Sequence, residues 1–458
     1  MSNNLFGTDG IRALVGTGPL QQQELAHLGK AIGIWLTQQY GRKNSLLIAH
    51  DTRISCSFIK ASLKSGLLLT PLHIQDAGVL PTPAVYQLVA QQQLFDAGII
   101  ISASHNPFYD NGIKIITRDG KLNALQEEEI STLITKPLGG AINYHEDLGH
   151  DEPVHHLADF YCTYIQKFFE QHFLQGIKIV LDCAHGAAYT IAPALLQQFG
   201  ADVVVIHNSP NGININHQSG STAPAVLQQA VLSNQADIGF AFDGDADRII
   251  VVNRYGEIKD GDDILALLAT HAQYAEQDTI VATLMSNHGL AVHLEQRNKK
   301  IIRTAVGDKY VAQMLAQQKL LLGGEPSGHI IAADYMLCSD ALFIALRILQ
   351  AMQLHKNWDM NTFTKMPQAI LNIKVQEKKN LTEEPFASII AHYTASLQPG
   401  RLVIRYSGTE ALLRIMAEAE QLSTAQAIIE ELAQKLLPLL TNKGIYYETK
   451  EKPLVPHS

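Results

Sequence analysis

Cysteine is scarce in this chain. There are four in 458 residues, Cys56, Cys162, Cys183 and Cys338, and no two form a Cys-x-x-Cys pair. Neither a clustered zinc site nor a disulfide framework is suggested, and a reducing cytoplasm fits. Positive charge is not in surplus either. A net charge of −9 argues against a nucleic-acid surface as a global property, while leaving room for a local basic cluster that holds a small anion. The opening Met1-Ser-Asn-Asn-Leu-Phe-Gly-Thr-Asp-Gly10 has no apolar core of an export signal. Uninterrupted apolar runs are missing as well. The most hydrophobic segment, Met336 to Leu354, contains Asp340 and Arg347, so it reads as a packed helix and not as a membrane span. No serine sits in a G-x-S-x-G elbow, which disfavours an α/β-hydrolase nucleophile. The histidines show no H-x-x-x-H spacing with an acidic partner.

Hydrophobic residues at 46% and charged residues at 17% allow large cores, and the length suits three or four domains. Helix and strand patterns alternate. Leu25, Leu28, Ile32 and Trp35 form one helical stripe that Gly41 stops. Ser45 to Ala49 reads as a strand ending at His50-Asp51-Thr52-Arg53, followed by a helix to about Leu69 and a Pro81-Thr82-Pro83 break. A second unit has an aromatic-rich helix over Tyr161 to Phe173 and strands at Ile177 to Leu181, Val203 to Ile206 and Ile238 to Phe242. A third has a helix at Asp262 to His271 and strands at Thr279 to Thr283 and Leu320 to Leu322. Such alternation predicts mainly parallel sheets with helical crossovers. Between Lys136 and His156 the pattern dissolves, which marks a domain boundary. After Trp358 to Gln368 the character changes to a small α+β unit, with strands at Arg401 to Tyr406 and Leu412 to Ala417 and a frayed tail from Thr449. The expected domains are residues 1–155, 156–255, 256–368 and 369–450.

Three times an apolar strand empties into a dense polar loop. The first is Ile99-Ile-Ile-Ser-Ala-Ser-His-Asn-Pro107, where Ser104 is the residue of interest and Ser102 a supporting one. A serine that carries phosphate gains roughly 1.5 to 2 negative charges. The second is Asp243-Gly-Asp-Ala-Asp-Arg248. Its carboxylates alternate, point to one side and repel one another unless a hard cation lies between them, for which magnesium is the natural candidate. The alternative is a polar turn with aspartates as helix caps. An EF-hand is excluded by Arg248 and by the glycine and glutamate spacing. The third loop is Gly324-Glu-Pro-Ser-Gly-His329, suited to sugar hydroxyls or to an ordinary turn. Arg405-Tyr-Ser-Gly-Thr-Glu410 with Arg414 offers a phosphate cradle, against the alternative of a strand–turn–strand with exposed arginines. Gly7-Thr-Asp-Gly-Ile-Arg12 is uninformative alone. His50-Asp-Thr-Arg53 reads as a structural strand end with a supporting basic residue.

Taken together, Gly7-Thr-Asp-Gly-Ile-Arg12, Ser102-Ala-Ser-His-Asn-Pro107, Asp243-Gly-Asp-x-Asp-Arg248, Gly324-Glu-x-Ser-Gly-His329 and Arg405-x-Ser-Gly-Thr-Glu410 resemble the α-D-phosphohexomutase superfamily, in the family's order and across nearly the whole chain. The run Pro210-Asn-Gly-Ile-Asn-Ile-Asn216 and the extension of the serine loop to Lys114 are most similar to its bacterial phosphoglucosamine mutase branch. The resemblance implies an α/β fold: three similar mixed α/β domains plus a smaller C-terminal α+β domain around a central cleft. It implies Ser104 as phosphoserine, and Ser104, Asp243, Asp245 and Asp247 as magnesium ligands. Glu325 and Ser327 would contact sugar hydroxyls, and Arg405, Ser407, Gly408 and Thr409 a distal phosphate. Arg414, Lys114, Asp308, Lys309 and His329 complete the candidate substrate-binding set. Ser104, His105, Arg12 and Arg248 form the catalytic set, with the general base left open. Pro326 stands where Asn, Gln or Met is typical, which bears on sugar preference.

The implied activity is interconversion of glucosamine 6-phosphate and glucosamine 1-phosphate. It would run through a 1,6-bisphosphate of glucosamine or glucose, with magnesium as cofactor. Phosphomannomutase or phosphoglucomutase activity is the alternative, followed by a silent sugar-phosphate-binding protein. The implied partners are small hexosamine phosphates, not nucleic acid or membrane, in a cytoplasmic protein whose oligomeric state is open, a homodimer included.

Overall fold

A computed structural model of the chain describes residues 5–7, 9–134, 148–397, 399–407, 411–440 and, by backbone only, 447–449. The chain forms two compact units, Met1–Met285 with Ile301–Thr362, and Ser286–Lys300 with Phe363–Ser458.

In the first unit, the first sheet runs in the order Ile11–Leu14, Asp110–Thr117, Ala97–Ile101, Ser45–His50, His73–Val79, His150–Pro153. Ala97–Ile101 is buried throughout and lies parallel to Ser45–His50 but antiparallel to Asp110–Thr117. The helices Gln22–Tyr40 and Cys56–Leu67 pack closely against each other. The stripe of Leu25, Leu28, Ile32 and Trp35 is buried as its spacing requires. The crossing depends on glycine, because a Cβ on Gly66 would stand 1.9 Å from the Ala26 carbonyl oxygen. The break expected between Lys136 and His156 falls partly on residues 135–147, outside the described set. Beyond it, His150–Pro153 is an edge strand parallel to His73–Val79.

The second sheet runs Asp202–Ile206, Lys178–Asp182, Ile238–Phe242, Ile249–Asn253, Ile258–Lys259. The third runs Lys300–Thr304, Thr279–Thr283, Leu322–Gly324, Ile330–Ala332. All three sheets are mixed, where mainly parallel pairing was expected, and the cause is loop length. A parallel neighbour needs a crossover of about a dozen residues. The strands Ala97–Ile101, Ile238–Phe242 and Leu322–Gly324 instead turn back through the short loops Ser102–Tyr109, Asp243–Arg248 and Glu325–His329, and the next strand pairs antiparallel. The polar loops therefore sit at the tips of hairpins.

Two boundaries differ from expectation. The helix expected over Tyr161 to Phe173 is Leu157–Gln166. The chain turns after it because the phenylalanines beyond pack inward: Phe168 meets Tyr335 edge-on at 5.3 Å, and Phe169 stacks on Phe173 at 5.7 Å. The strand expected at Leu320 to Leu322 is Leu322–Gly324, because Gly323 and Gly324 take part in pairing on both sides. In the apolar segment near residue 340, Asp340 caps the helix Ala341–His355 by accepting from the Leu342 and Phe343 amides, both at 3.0 Å. Arg347 pairs with Asp334 at 2.8 Å. Among the described residues no helix is long and apolar enough to cross a membrane.

Asp340 is fully buried beneath the Tyr161 and Tyr335 hydroxyls, which donate to it at 2.9 and 3.0 Å. Burial pushes its carboxyl up to about 6, against the backbone and tyrosine hydrogen bonds. The folded value lies above the unfolded value of about 3.9. Its contribution to stability is therefore fully present below about pH 4 and lost as pH rises through 6. Asp340→Asn keeps a capping oxygen without the titration. In chemical denaturation, its stability relative to wild type should increase between about pH 4 and pH 7; a pH-independent difference contradicts this account.

The second unit holds the antiparallel sheet Gly400–Tyr406, Leu412–Ala419, Gln368–Lys374, Tyr447–Thr449. The helix Leu422–Leu440 covers it with Ala425, Ile429, Leu432 and Leu436 buried. This is the α+β unit expected. Thr449 ends a strand, and the rest of the expected frayed tail lies outside the described residues.

Candidate active site

The site in the first unit is built around Ser104, which is buried at the tip of the first hairpin with φ +53°. A non-glycine residue holds that backbone only when its surroundings fix it, and here they do. Asp51 accepts from the Ser102 hydroxyl at 2.7 Å, and Ser102 Oγ in turn accepts from the Ser104 amide at 2.9 Å. Arg53 is fully buried and donates Nε to Asp51 at 2.9 Å. Its other nitrogens donate to the carbonyls of Ser104 (2.9 Å), Asn106 (2.8 Å), Asp110 (3.1 Å) and Pro107. Asn216 adds donations to the Ser104 and Asn106 carbonyls at 2.8 and 3.0 Å. The loop backbone is thus gripped from three directions, leaving Ser104 Oγ to donate to Asp243 Oδ2 at 2.5 Å, with His105 Nδ1 at 3.2 Å.

Asp243, Asp245 and Asp247 are buried, and one oxygen of each lies within 4.8 Å of the others. The expected convergence of the alternating carboxylates is present. A Cβ on Gly244 would meet the Ser104 carbonyl oxygen at 2.6 Å, so the close approach of the two loops depends on glycine there. Asp245 Oδ2 accepts from Thr82 Oγ1 at 2.5 Å, whereas its Oδ1 is buried without a hydrogen-bond partner. Such an orphaned oxygen is costly, and together with two neighbouring carboxylates it fits a hard cation with oxygen ligands. Burial and the charges of Asp247 and Asp245 push the Asp243 carboxyl well up. Burial acts the same way on Asp247, but Lys114 and His329 outweigh it and hold that carboxyl well below its ordinary value.

Lys114 is buried between three carboxylates, at 2.9 Å from Asp9, 2.9 Å from Asp245 and 3.1 Å from Asp247. Burial disfavours its charge, yet these neighbours raise it well above the usual lysine range. Asp9 also pairs with Arg12 and Lys121, both at 2.8 Å, and Lys121 reaches Asp308 at 2.6 Å. His329 lies between Glu325 (Nδ1, 2.9 Å) and Asp247 (Nε2, 3.2 Å). Burial and Arg248 oppose its protonation, but Asp247 and Glu325 outweigh them and raise it to about 10; Arg248 Nε also stands 3.2 Å from its Nε2. His105 has the opposite environment. Burial, then Arg248 and Arg12, push it down to about 3, so it stays neutral. The Arg248 amide donates to Asp243 Oδ1 at 3.1 Å. Glu325 Oε1 accepts from the Gly307 amide at 2.9 Å. Ser327 is exposed, with its hydroxyl 3.4 Å from His329 Nδ1. Lys309 lines a small pocket together with Asp9, Lys114 and Lys121, its ammonium over the Tyr310 ring at 5.6 Å.

In the second unit, Arg405 and Arg414 face each other across paired strands. Burial and then Arg414 lower the Arg405 guanidinium, whose Nε is buried without a partner. Two facing guanidiniums suit an anion. The Ser407 carbonyl accepts from Lys378 at 2.8 Å, which brings a third cation. Gly408 and Thr409 lie outside the described residues.

Four consecutive family models match the chain: phosphoglucomutase/phosphomannomutase α/β/α domain I over residues 3–138, domain II over 159–256, domain III over 260–369 and the C-terminal domain over 370–435. The chain belongs to the α-D-phosphohexomutase superfamily. Among its phosphohexomutase relatives, phosphoglucosamine mutase of Psychrobacter sp. (strain PRwf-1) is 39% identical over 450 residues, covering 94% of this chain and 98% of the relative. Phosphoglucosamine mutase of Rhizobium etli (strain CIAT 652) is 40% identical over 441 residues, with the same coverage. In fold, the chain is similar to a phosphoglucomutase/phosphomannomutase family protein from Burkholderia thailandensis, with a TM-score of 0.80 at 22% identity over 97% of this chain and 99% of that one. Aspergillus fumigatus N-acetylphosphoglucosamine mutase, solved in complex with GlcNAc-6P and magnesium, aligns with a TM-score of 0.64 at 17% identity over 96% of both chains.

Sequence reasoning placed Asp51 and Arg53 of this phosphohexomutase at a structural strand end. It did not connect them to the serine loop, which they organise from 51 residues away or more. Lys121 and Asp9, which link Lys114 to Asp308, were also missed, as was Lys378. Asn216 was visible only as the last residue of the Pro210 to Asn216 run.

Proposed function

We propose that this phosphohexomutase is a phosphoglucosamine mutase that interconverts glucosamine 6-phosphate and glucosamine 1-phosphate, feeding amino-sugar nucleotide and cell-wall precursor synthesis. The observation that carries the reaction type is the 2.5 Å approach of Ser104 Oγ to Asp243, beside a carboxylate cluster with an orphaned oxygen. The sugar assignment rests on relatives of that name at 38 to 40% identity over almost the whole chain.

Asp243, Asp245 and Asp247, with the phosphate of phospho-Ser104, would hold magnesium. That ion, when bound, offsets the negative charge of the transferring group. The chain's own groups do the rest. A hydroxyl oxygen of the sugar phosphate attacks phosphorus on Ser104, the P–Oγ bond breaks, and the proton of that hydroxyl ends on Oγ. Neutral His105, 3.2 Å from Oγ, is a hydrogen-bond partner for that oxygen. His329 and Lys114 hold the surrounding carboxylates in place, His329 between Glu325 and Asp247 and Lys114 among Asp9, Asp245 and Asp247. The 1,6-bisphosphate then presents its other phosphate, and Ser104 Oγ takes it back in the reverse step. A sugar phosphate that reacts at either end needs a second phosphate anchor, and the Arg405–Arg414 pair has the chemistry for one. Four free cysteines, three of them buried, suit a cytoplasmic enzyme.

A coupled assay for glucosamine 1-phosphate, with glucosamine 6-phosphate, magnesium and catalytic glucose 1,6-bisphosphate, should show turnover that EDTA abolishes. Faster turnover of glucose or mannose phosphates would move the substrate assignment. Stoichiometric release of inorganic phosphate would replace the mutase reading with a phosphatase.

A further inference from the structure

A second group of metal-ligating side chains lies on the opposite edge of the first sheet, in the strands His73–Val79 and His150–Pro153. His73 and His150 are directly opposite each other in the parallel register, and Glu152 follows on the same face opposite Gln75. His73 Nε2 stands 2.8 Å from Glu152 Oε1, and His150 Nε2 stands 3.6 Å from Glu152 Oε2. One donor atom from each of the three side chains lies within 4.8 Å of the others. Donors bound to one tetrahedral zinc at about 2.05 Å are about 3.3 Å apart, so only small side-chain rotations separate this arrangement from a ligand set.

Three further features favour a cation here. Gln75 donates to Glu152 Oε1 at 3.2 Å, which orients the carboxylate from outside the ligand set. The nearby lysines are on the other face: Lys60 and Lys64 are occupied by Asp76 and Asp151, whose side chains point away from those of His73, Gln75 and Glu152 by strand alternation. The three side chains are 40%, 70% and 41% exposed, so water can complete the coordination shell.

We propose that His73, His150 and Glu152 form a second metal site, distinct from the aspartate cluster and selective for a borderline cation such as zinc. Two imidazoles and one carboxylate suit zinc, whereas magnesium prefers oxygen ligands alone. The bound ion would tie the edge strand His150–Pro153 to its neighbour and has no part in the phosphoryl transfer.

The test is calorimetric titration of the full chain with zinc chloride, wild type against His73→Ala/His150→Ala. The double variant should bind one equivalent fewer, or bind that equivalent at least about tenfold more weakly, with mutase activity in magnesium unchanged. Zinc should raise the melting temperature of the wild type but not of the variant. X-ray absorption of zinc-loaded Asp245→Asn should show imidazole nitrogen in the shell, a readout that does not depend on the double variant folding. Identical isotherms for wild type and a folded double variant, or an oxygen-only zinc shell in Asp245→Asn, would overturn the proposal.

Discussion

Ser104→Ala should lower mutase turnover on the order of 10⁴-fold or more while leaving the fold intact. The hydroxyl makes only two side-chain contacts, to Asp243 at 2.5 Å and His105 at 3.2 Å. The loop is held through its backbone by Arg53, Asn216 and Ser102, and none of those bonds involves Oγ. The variant should therefore melt within a few degrees of wild type. Intact-protein mass spectrometry should find phosphate on the wild type after incubation with glucose 1,6-bisphosphate and none on the variant. Retained turnover without a phosphorylated residue would mean direct transfer between two bound sugars, and the covalent mechanism would be wrong. If phosphate appeared elsewhere on the chain instead, Ser104 would not be the carrier. Because the loop geometry does not depend on Oγ, a loss of activity reports chemistry and not a collapsed site.

What could be read from the sequence was what lies close along the chain. The apolar run Ile99 to Ile101 followed by Ser102 to Pro107 announced a strand and a loop, and Asp243, Asp245 and Asp247 announced their own convergence by alternation. Asp340 and Arg347 correctly ruled against a membrane span, and the structure shows one as a helix cap and the other as an ion-paired cation over the Phe343 ring. What was illegible depends on distant partners. Nothing local marks Asp51 as the acceptor for Ser102, 51 residues on. Nothing in Asp9 foretells two lysines and an arginine around it. The expected helix through Phe173 shows the same limit. Its periodicity was compatible with continuing, but Tyr335 and Phe343, far along the chain, supply the aromatic surface that draws Phe168 and Phe169 out of the helix. The mixed sheets follow from a rule that could have been applied in advance, since loops as short as Asp243–Arg248 cannot return a strand in parallel.

The grip on the serine loop leads to the second large effect. Arg53→Lys should reduce kcat by about 100-fold or more with little change in KM, and lower stability by about 3 kcal/mol. The guanidinium serves five acceptors at once, Asp51 and the carbonyls of Ser104, Asn106, Pro107 and Asp110. An ammonium has three donors and no planar fork, so at least two of the five donations are lost, and the Pro107 and Asp110 carbonyls have no backup from Asn216. The charge opposite Asp51 is kept, which separates loss of geometry from loss of an ion pair. Ser104 holds a positive φ, a conformation its own backbone does not favour, so a released loop should relax toward negative φ and carry Oγ away from Asp243. Substrate contacts outside the loop remain, which is why the effect should fall on kcat. Steady-state kinetics and thermal melts on the same preparation check both halves. A variant that loses stability but keeps wild-type kcat would show that Asn216 and Ser102 position the serine without Arg53.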